Sequence, residues 1–228
     1  MGEIKPLVLG DGLLGSEIVK QTGWDYVSRK QNTFDVNKIE KSLFHYNDKI
    51  IINCIANTDT YSTDKTAHWD LNYRFVNDLI DYCNRRSFKL VHVSTDYIYA
   101  GSVSNATEED VPIHCNNWYG YTKLLGDGLV QLKANKYLLC RCTHKPYPFP
   151  YDGAWIDQIG NFDYVNEIAS LIVHMINNDL KGVYNVGTEI KTMYELATQT
   201  REVKKTFTPS HVPKNQSMNI NKMLNVIK

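Results

Sequence analysis

Short apolar runs rich in β-branched residues alternate with amphipathic stretches along most of this chain. Runs of this kind, bounded by turn-forming residues, predict β-strands. The predicted strands are Pro6–Gly10, Trp24–Ser28, Lys49–Ala56, Lys89–Ser94, Lys136–Cys142 and Gly182–Val186. Helical patterns fall between most of these strands. The alternation predicts a parallel sheet covered by helices on both faces, which is a doubly wound α/β fold.

Two of the stretches between strands carry an apolar stripe of helical period. After Trp69 the stripe consists of Leu71, Phe75, Val76, Leu79, Ile80 and Cys83. The later stripe consists of Val165, Ile168, Ala169, Ile172 and Ile176. Both stripes predict amphipathic helices packed on the sheet. Thr192 and Glu195 have the spacing of a capping box, which predicts the start of a further helix.

A proline-rich stretch interrupts this alternation in the second half of the chain. Residues 145–150 contain three prolines, so they cannot be helical and must be extended or turning. We therefore expect a boundary there. The tail from Lys204 is polar and shows no period until Met218, and we expect it to be irregular.

Composition and charge narrow the functional classes. In 228 residues, 25 basic side chains balance 25 acidic ones and 43% of residues are hydrophobic, which argues against disorder and against a nucleic-acid-binding surface. No apolar run approaches the roughly 20 residues that cross a bilayer, and the first residues lack a signal-peptide pattern. We expect a cytoplasmic protein without a membrane span. Five cysteines without a Cys-x-x-Cys pair predict reduced thiols, and no histidine pair has metal-ligand spacing, so no metal is expected.

The first predicted strand leads into a glycine-rich turn, Gly10-Asp11-Gly12-Leu13-Leu14-Gly15, that opens a helix. Its first glycine allows a tight turn, its second lets the backbone approach a pyrophosphate, and its third lets the helix pack against the strand. The positive end of the helix then faces the phosphates. Alone, the motif could be a plain strand-to-helix turn. In this context it predicts a Rossmann-like dinucleotide site.

The end of the second predicted strand indicates which dinucleotide binds. NAD enzymes usually carry an acidic residue there, whereas this chain has Ser28, Arg29 and Lys30. A guanidinium can bind the 2′-phosphate of NADP with two hydrogen bonds, and a hydroxyl can add a third. The predicted cofactor is NADP, with NAD as the alternative if these are ordinary solvated loop charges.

Tyr119 and Lys123 lie four residues apart at the start of a helical pattern, so both side chains are predicted on one helix face. A nearby ammonium stabilises phenolate and lowers the pKa of tyrosine from about 10, which makes it a better proton donor near neutral pH. The same spacing also occurs in plain exposed helix pairs. Its combination with the glycine turn favours catalysis.

Several sequence segments, in the same order along the chain, resemble those of the extended short-chain dehydrogenase/reductases, and among them the dTDP-4-dehydrorhamnose reductase family. The blocks are Asn53–Thr58, Asn72, Lys89–Tyr99 with its Ser-Thr-Asp-Tyr core, Tyr119–Lys123, Asp157–Gly160 and Gly182–Gly187. The resemblance implies that Thr95, Tyr119 and Lys123 form the catalytic triad. Tyr97 and His144, together with Thr95, are candidates for substrate contact from their positions, and the alternative for His144 is a structural or solvent-facing residue.

The predicted cofactor-binding residues combine the glycine turn, the end of the second strand and the positions implied by the resemblance. They are Gly10, Gly12, Leu13, Leu14, Gly15, Ser28, Arg29, Asp35, Val36, Cys54, Ala56, Asn57, Tyr119 and Lys123.

The chain also departs from the family's pattern. It has Arg141-Cys142-Thr143-His144 where family members commonly place a tryptophan, and the segment between His144 and Asp157 is shorter than usual. The predicted organisation is a dinucleotide-binding core of residues 1–143, completed by 162–187, with a reduced substrate lobe formed by 144–161 and 188–228.

The resemblance implies reduction by NADPH of a keto group on a nucleotide-linked 4-keto-6-deoxy sugar. Two alternatives remain at this point. One is a nucleotide-sugar epimerase, and the other is a non-catalytic NADP-binding regulatory subunit, motivated by the reduced lobe. The expected partner is a nucleotide-sugar substrate, and neither a nucleic acid nor a membrane is expected. A homodimer is expected if a second subunit covers the open lobe.

Overall fold

A computed structural model describes residues 6–47, 49–100, 104–110 and 117–227 of the chain. The strands are β1 Leu7–Leu9, β2 Tyr26–Val27, β3 Ile50–Asn53, β4 Lys89–Ser94, β5 Tyr137–Arg141, β6 His144–Lys145, β7 Gly153–Trp155, β8 Ile159–Gly160, β9 Asp163–Tyr164, β10 Gly182–Asn185, β11 Lys191–Thr192, β12 Lys204–Thr206 and β13 Asn215–Gln216. The α-helices are α1 Leu13–Thr22, α2 Ile39–Leu43, α3 Lys65–Trp69, α4 Phe75–Arg86, α5 Trp118–Lys133, α6 Val165–Asn177, α7 Met193–Thr198 and α8 Asn221–Leu224.

Six parallel strands form the central sheet, in the order β10-β5-β4-β3-β1-β2. The prediction of a doubly wound parallel sheet is therefore confirmed, and each of the six predicted strands contains one strand of this sheet. The strand order reverses beside β1. In open α/β sheets, ligands bind at such a reversal, outside the carboxyl ends of the strands.

The two faces of the sheet bury separate apolar cores because successive strand residues point to opposite sides. One core joins Leu9, Ile51 and Leu90 to helices α4 and α2. The other core joins Val8, Ile52, Val91 and Leu138 to helices α1 and α6. Among the described residues, no helix is long and apolar enough to cross a bilayer.

The helix predicted after Trp69 is not regular throughout. Residues Asp70–Arg74 form a π-helical turn between α3 and α4. At this turn the carbonyl of Asn72 lies against helix α5, so close that a Cβ atom added to Gly126 would sit 2.4 Å from Asn72 O. The glycine is required by this close backbone approach, which an apolar stripe in the sequence does not reveal.

Substituting Gly126 with alanine is expected to destabilise the protein by about 1–3 kcal/mol, because the neighbouring atom is backbone and cannot swing away. Gly128 lies on the same helix, and its added Cβ would meet nothing within 4 Å. Gly128→Ala should therefore stabilise the helix by about 0.5–1 kcal/mol. Urea unfolding of the two variants measures both effects. Equal free energies of unfolding for the two variants would contradict this close packing of Gly126 on Asn72.

Short strands that follow β5 build a second layer beside the carboxyl edge of the sheet. Strands β11, β8 and β13 form one small sheet, while β12 pairs with β7 and β6 pairs with β9. The proline-rich stretch is extended or turning, as predicted. The expectation that the tail from Lys204 is irregular until Met218 is wrong, because β12 and β13 lie within it. The predicted capping box at Thr192 and Glu195 is present at the start of α7.

Candidate active site

A cleft of about 800 Å³ lies where the carboxyl ends of the central strands meet the second layer. Gly12, Leu13 and Leu14 line one end of it. The other end follows β5, three strands away from β1 in the sheet, and is lined by residues after β5 and by the second layer, among them Phe149 and Trp155. No Asp or Glu lines the described part of the cleft, whereas Lys123 and Lys145 do.

The glycine turn shapes the first end of the cleft. Gly10 has a φ of 101°, and a Cβ on Gly15 would collide with Gly10 O at 2.2 Å, so these two glycines serve the turn and the packing of α1. A Cβ on Gly12 would meet nothing within 4 Å, and Gly12 faces the cleft. Gly12 also caps α1 without any side-chain hydrogen bond. This open, positively polarised helix end fits the pyrophosphate of a dinucleotide.

The three predicted catalytic residues all line the same cleft. Thr95 directly follows β4, and its side chain accepts a hydrogen bond from Tyr97 N at the start of a short 3₁₀ turn. Tyr119 and Lys123 lie one turn apart in α5. Asn117 fixes the beginning of that helix, because its side chain accepts a hydrogen bond from Gly120 N at 2.7 Å.

Lys123 is held deep in the cleft wall. Its side chain is only 3% exposed, and Nζ donates a hydrogen bond to Val93 O at 2.7 Å. Burial lowers the pKa of Lys123 to about 8, while the carboxylate of Asp127 acts in the opposite direction. Lys123 is therefore charged below about pH 8, and this charge can stabilise a phenolate on the neighbouring turn.

A buried ion pair anchors α5 to the sheet. Arg141, at the end of β5, donates two hydrogen bonds to the carboxylate of Asp127, from Nε at 3.0 Å and from Nη2 at 2.9 Å. Both side chains are at most 2% exposed. Ser94 and Gln131 donate further hydrogen bonds to the same carboxylate. The pair therefore holds the helix that carries Tyr119 and Lys123 against the ends of β4 and β5.

Asn72 fastens the loop after β3 to the same helix. Its amide group donates to Asn57 O and to Thr122 Oγ1, each at 3.1 Å, and its carbonyl oxygen accepts from Asn57 N at 2.9 Å. The loop residues Cys54 and Ala56 are thereby held at the cleft wall. Asn72 is a positioning residue, and the bonds that it makes explain why the sequence block contains it.

A buried carboxyl group lies behind Thr95. Thr95 Oγ1 donates a hydrogen bond to Asp96 Oδ1 at 3.3 Å, and Thr143 Oγ1 donates to the same oxygen at 2.5 Å. Asp96 Oδ2 is buried without a hydrogen-bond partner. Burial raises the pKa of Asp96 to about 6, although the bonds from the two threonines lower it. The Thr95 hydroxyl must turn away from Asp96 before it can donate to a substrate oxygen.

Aromatic side chains form the wall beside Tyr119. The rings of Tyr97 and Tyr119 meet edge to face at 5.6 Å, and the hydroxyls of Tyr97 and Tyr61 lie 3.2 Å apart. Burial raises the pKa of Tyr97, so its hydroxyl stays protonated. His144 also lines the cleft, with Nδ1 buried and unpartnered, and burial lowers its pKa to about 4. This histidine is therefore neutral near pH 7.

The cleft brings together most of the residues predicted from the sequence. Its lining includes Gly12, Leu13, Leu14, Cys54, Ala56, Thr95, Tyr97, Tyr119, Lys123 and His144. The lining does not include Gly10, Gly15, Ser28, Arg29, Asp35, Val36 or Asn57. Sequence reasoning missed Tyr61, Thr143 and Lys145, which also line it. No group of three or more potential metal ligands occurs in the described ranges.

Two of the predicted cofactor-binding residues after β2 accept hydrogen bonds from nearby backbone. Ser28 is buried, and its Oγ accepts a hydrogen bond from Gln31 N at 3.1 Å within the turn after β2. Asp35 Oδ1 accepts from Asn37 N at 2.9 Å. Arg29 is exposed in the same turn as Ser28, beside the strand that pairs with β1. The role of these residues in binding a cofactor stays a prediction.

The parallel sheet, the glycine turn and the clustered Thr, Tyr and Lys side chains define a dinucleotide-binding protein of the short-chain dehydrogenase/reductase class. A family model described as the RmlD substrate binding domain matches residues 5–144, which is more than half of the chain. The chain belongs to this family, and the resemblance seen in the sequence is confirmed.

Individual relatives agree with this assignment. The chain is 26% identical over 229 aligned positions to the spore coat polysaccharide biosynthesis protein SpsK of Bacillus subtilis, covering 87% of this chain and 78% of that protein. It superimposes with a TM-score of 0.83 on a dTDP-4-dehydrorhamnose reductase of Bacillus anthracis solved with NADP, at 22% identity and covering 99% and 94% of the two chains. A dTDP-4-dehydrorhamnose reductase from Clostridium acetobutylicum superimposes with a TM-score of 0.81 at 22% identity, covering 97% of this chain and 92% of that chain. At these identities the solved structures establish the fold.

Proposed function

We propose that this protein reduces a keto group on a nucleotide-linked sugar, with NADPH as the hydride donor. The observation that carries the proposal is the placement of Thr95, Tyr119 and Lys123 in one cleft whose other end is the open glycine turn. A cleft lined by two lysines and by no carboxylate among its described residues also suits anionic ligands. The relatives include reductases of 4-keto sugar nucleotides, which supports the same reaction.

Each side chain has a distinct part in the proposed reaction. NADPH, when bound, supplies the hydride. Tyr119 donates a proton to the carbonyl oxygen as it becomes an alkoxide, and the charge on Lys123 makes this donation favourable near neutral pH. Thr95 donates a hydrogen bond to the same oxygen as negative charge develops on it. Tyr97 packs edge to face on the ring of Tyr119 and so helps to hold it in the cleft.

The proposal is tested by following NADPH oxidation at 340 nm with a set of 4-keto-6-deoxy nucleotide sugars that differ in nucleotide and sugar. Oxidation that depends on one of these substrates supports the reductase. An epimerised product without net NADPH consumption would instead support the epimerase. Tight NADPH binding without any turnover would support a regulatory subunit.

Arg29 is proposed to bind the 2′-phosphate of the cofactor. We expect wild-type protein to bind NADPH more tightly than NADH, and we expect Arg29→Ala to weaken NADPH binding roughly tenfold or more because a charge-assisted hydrogen bond is lost. Binding of NADH serves as the control and should change little, since it lacks that phosphate. Fluorescence titration of both cofactors measures this difference. Equal affinity of wild-type protein for the two would refute the assignment.

Other parts of the sequence interpretation remain predictions. A homodimer in which the partner covers the open side of the cleft is proposed, as is a cytoplasmic location. The division into a core of residues 1–143 and 162–187 and a reduced lobe of 144–161 and 188–228 is likewise a proposal. It is supported by the change at His144 from the central sheet to short strands.

A further inference from the structure

Lys145 is a cation in the cleft that the proposed reaction does not use. It ends strand β6, opposite Tyr164 of β9, and its side chain lines the cleft beside His144 and Pro146. The ion pairs formed by the described residues do not include Lys145, so no carboxylate there lies within 4 Å of its Nζ. Lysine side chains are seldom fully buried without an ion-pair partner, and this half-buried ammonium has none within the described residues.

The neighbouring charged groups in the described part of the chain do not form a hydrogen bond with the Lys145 ammonium. The carboxyl group of Asp96 is the negative charge that acts on it, but Asp96 is fully buried behind the cleft wall and already accepts hydrogen bonds from Thr95 and Thr143. Lys123, the other lysine of the cleft, is bonded to Val93 O. Lys145 is therefore the cleft lysine whose ammonium has no hydrogen-bond partner within the described protein and remains available to a ligand.

We infer that Lys145 binds an anionic oxygen group of the substrate, either the diphosphate of a nucleotide sugar or a carboxylate on its sugar ring. This inference rests on the proposed function and specifies which substrate feature the far end of the cleft recognises. A nucleotide sugar brings negative charge into a cleft whose described lining holds no carboxylate to repel it. Lys145 follows β5, which lies three strands away from β1 and its glycine turn, and the substrate must lie on that side if the dinucleotide occupies the turn.

The low polarity of the site makes this contact strong. Burial lowers the pKa of Lys145, which means that the ammonium has lost part of its hydration. An anion that binds next to this ammonium replaces the lost hydration with a direct charge–charge attraction. At the low dielectric of the site this attraction is stronger than in water. Substituting the lysine with a neutral side chain of similar length should then weaken binding of the anion roughly 10- to 100-fold.

The experiment titrates protein saturated with NADP⁺ by calorimetry, with UDP, dTDP, UDP-glucose and UDP-glucuronate as probes. Wild type is compared with Lys145→Met, with Lys145→Arg, which keeps the charge, and with Lys41→Met, which removes an exposed charge outside the cleft. Weaker binding of every diphosphate to Lys145→Met, rescued by arginine, identifies the diphosphate as the bound group. A loss confined to UDP-glucuronate identifies the sugar carboxylate.

Two results of these titrations would overturn the inference. One is unchanged binding of all probes to Lys145→Met, and the other is failure of wild-type protein to bind any of them. NADPH affinity of the variant, measured separately, should stay at the wild-type value, and its loss would place Lys145 in the cofactor half instead. If the protein is a reductase and its Lys145→Met variant keeps the wild-type KM, only the inference is refuted. If nucleotide binding depends on Lys145 but no reductase activity is found, only the proposed function is refuted.

Discussion

Replacing Tyr119 with phenylalanine is expected to lower turnover by about 10² or more while the fold and NADPH binding persist. The ring of Tyr119 packs edge to face on Tyr97, and phenylalanine preserves that contact. What the variant loses is the hydroxyl that donates the proton. Because the hydroxyl acts on charge that develops only in the transition state, the loss should appear in kcat and not in the affinity for substrate.

The matched control is Tyr121→Phe, which removes a hydroxyl from the same helix at a position that does not line the cleft. Steady-state kinetics with the substrate found in the screen, together with NADPH titration, distinguish the outcomes. Unchanged turnover of Tyr119→Phe would remove this residue from the mechanism. Lost NADPH binding, or a fall in turnover equal to that of Tyr121→Phe, would mean that its role is structural.

The central sheet could be predicted because its signals are local. The strands of the core are short runs rich in β-branched residues. In Ile50–Asn53, for example, the last three residues are buried although successive side chains point to opposite faces, and Ile50 is half-buried. The glycine turn was recognisable because its conformation restricts the residue type at fixed spacing. A φ of 101° at Gly10 and the contact of Gly15 with Gly10 O both exclude a side chain.

The parts that could not be predicted depend on contacts between distant segments. Strands β12 and β13 have three and two residues, too few to show a period, and exist because they pair with β7 and β8. The π-helical turn contains Asn72, whose carbonyl lies against Gly126, far along the chain.

The candidate site shows the same division. Tyr119 and Lys123 share a helix, so their spacing alone brought them together. Asp96 and Thr143 are 47 residues apart and meet only because β4 and β5 are neighbours in the sheet. No pattern within either segment predicted that contact, nor the arrival of Lys145 in the cleft.

The second large effect is expected at the buried ion pair of Asp127 and Arg141. Asp127→Asn keeps the shape of the side chain but leaves the Arg141 guanidinium without a counter-charge at 2% exposure. Breaking such a pair from one side costs about 3–5 kcal/mol, because a buried charge remains uncompensated. Domains of this kind are stable by only about 5–15 kcal/mol, so the variant should unfold at much lower urea concentration than wild type.

Removing both charges separates the cost of an unpaired ion from the value of the pair. Asp127→Leu combined with Arg141→Met should recover much of the stability lost in Asp127→Asn, since two buried charges no longer need compensation. Ser94 and Gln131 would still lose an acceptor, so recovery should be incomplete. If Asp127→Asn unfolds at the same urea concentration as wild type, the pair does not stabilise the fold. If the double variant is stable yet turns over substrate slowly, the pair serves chiefly to position Tyr119 and Lys123 on α5.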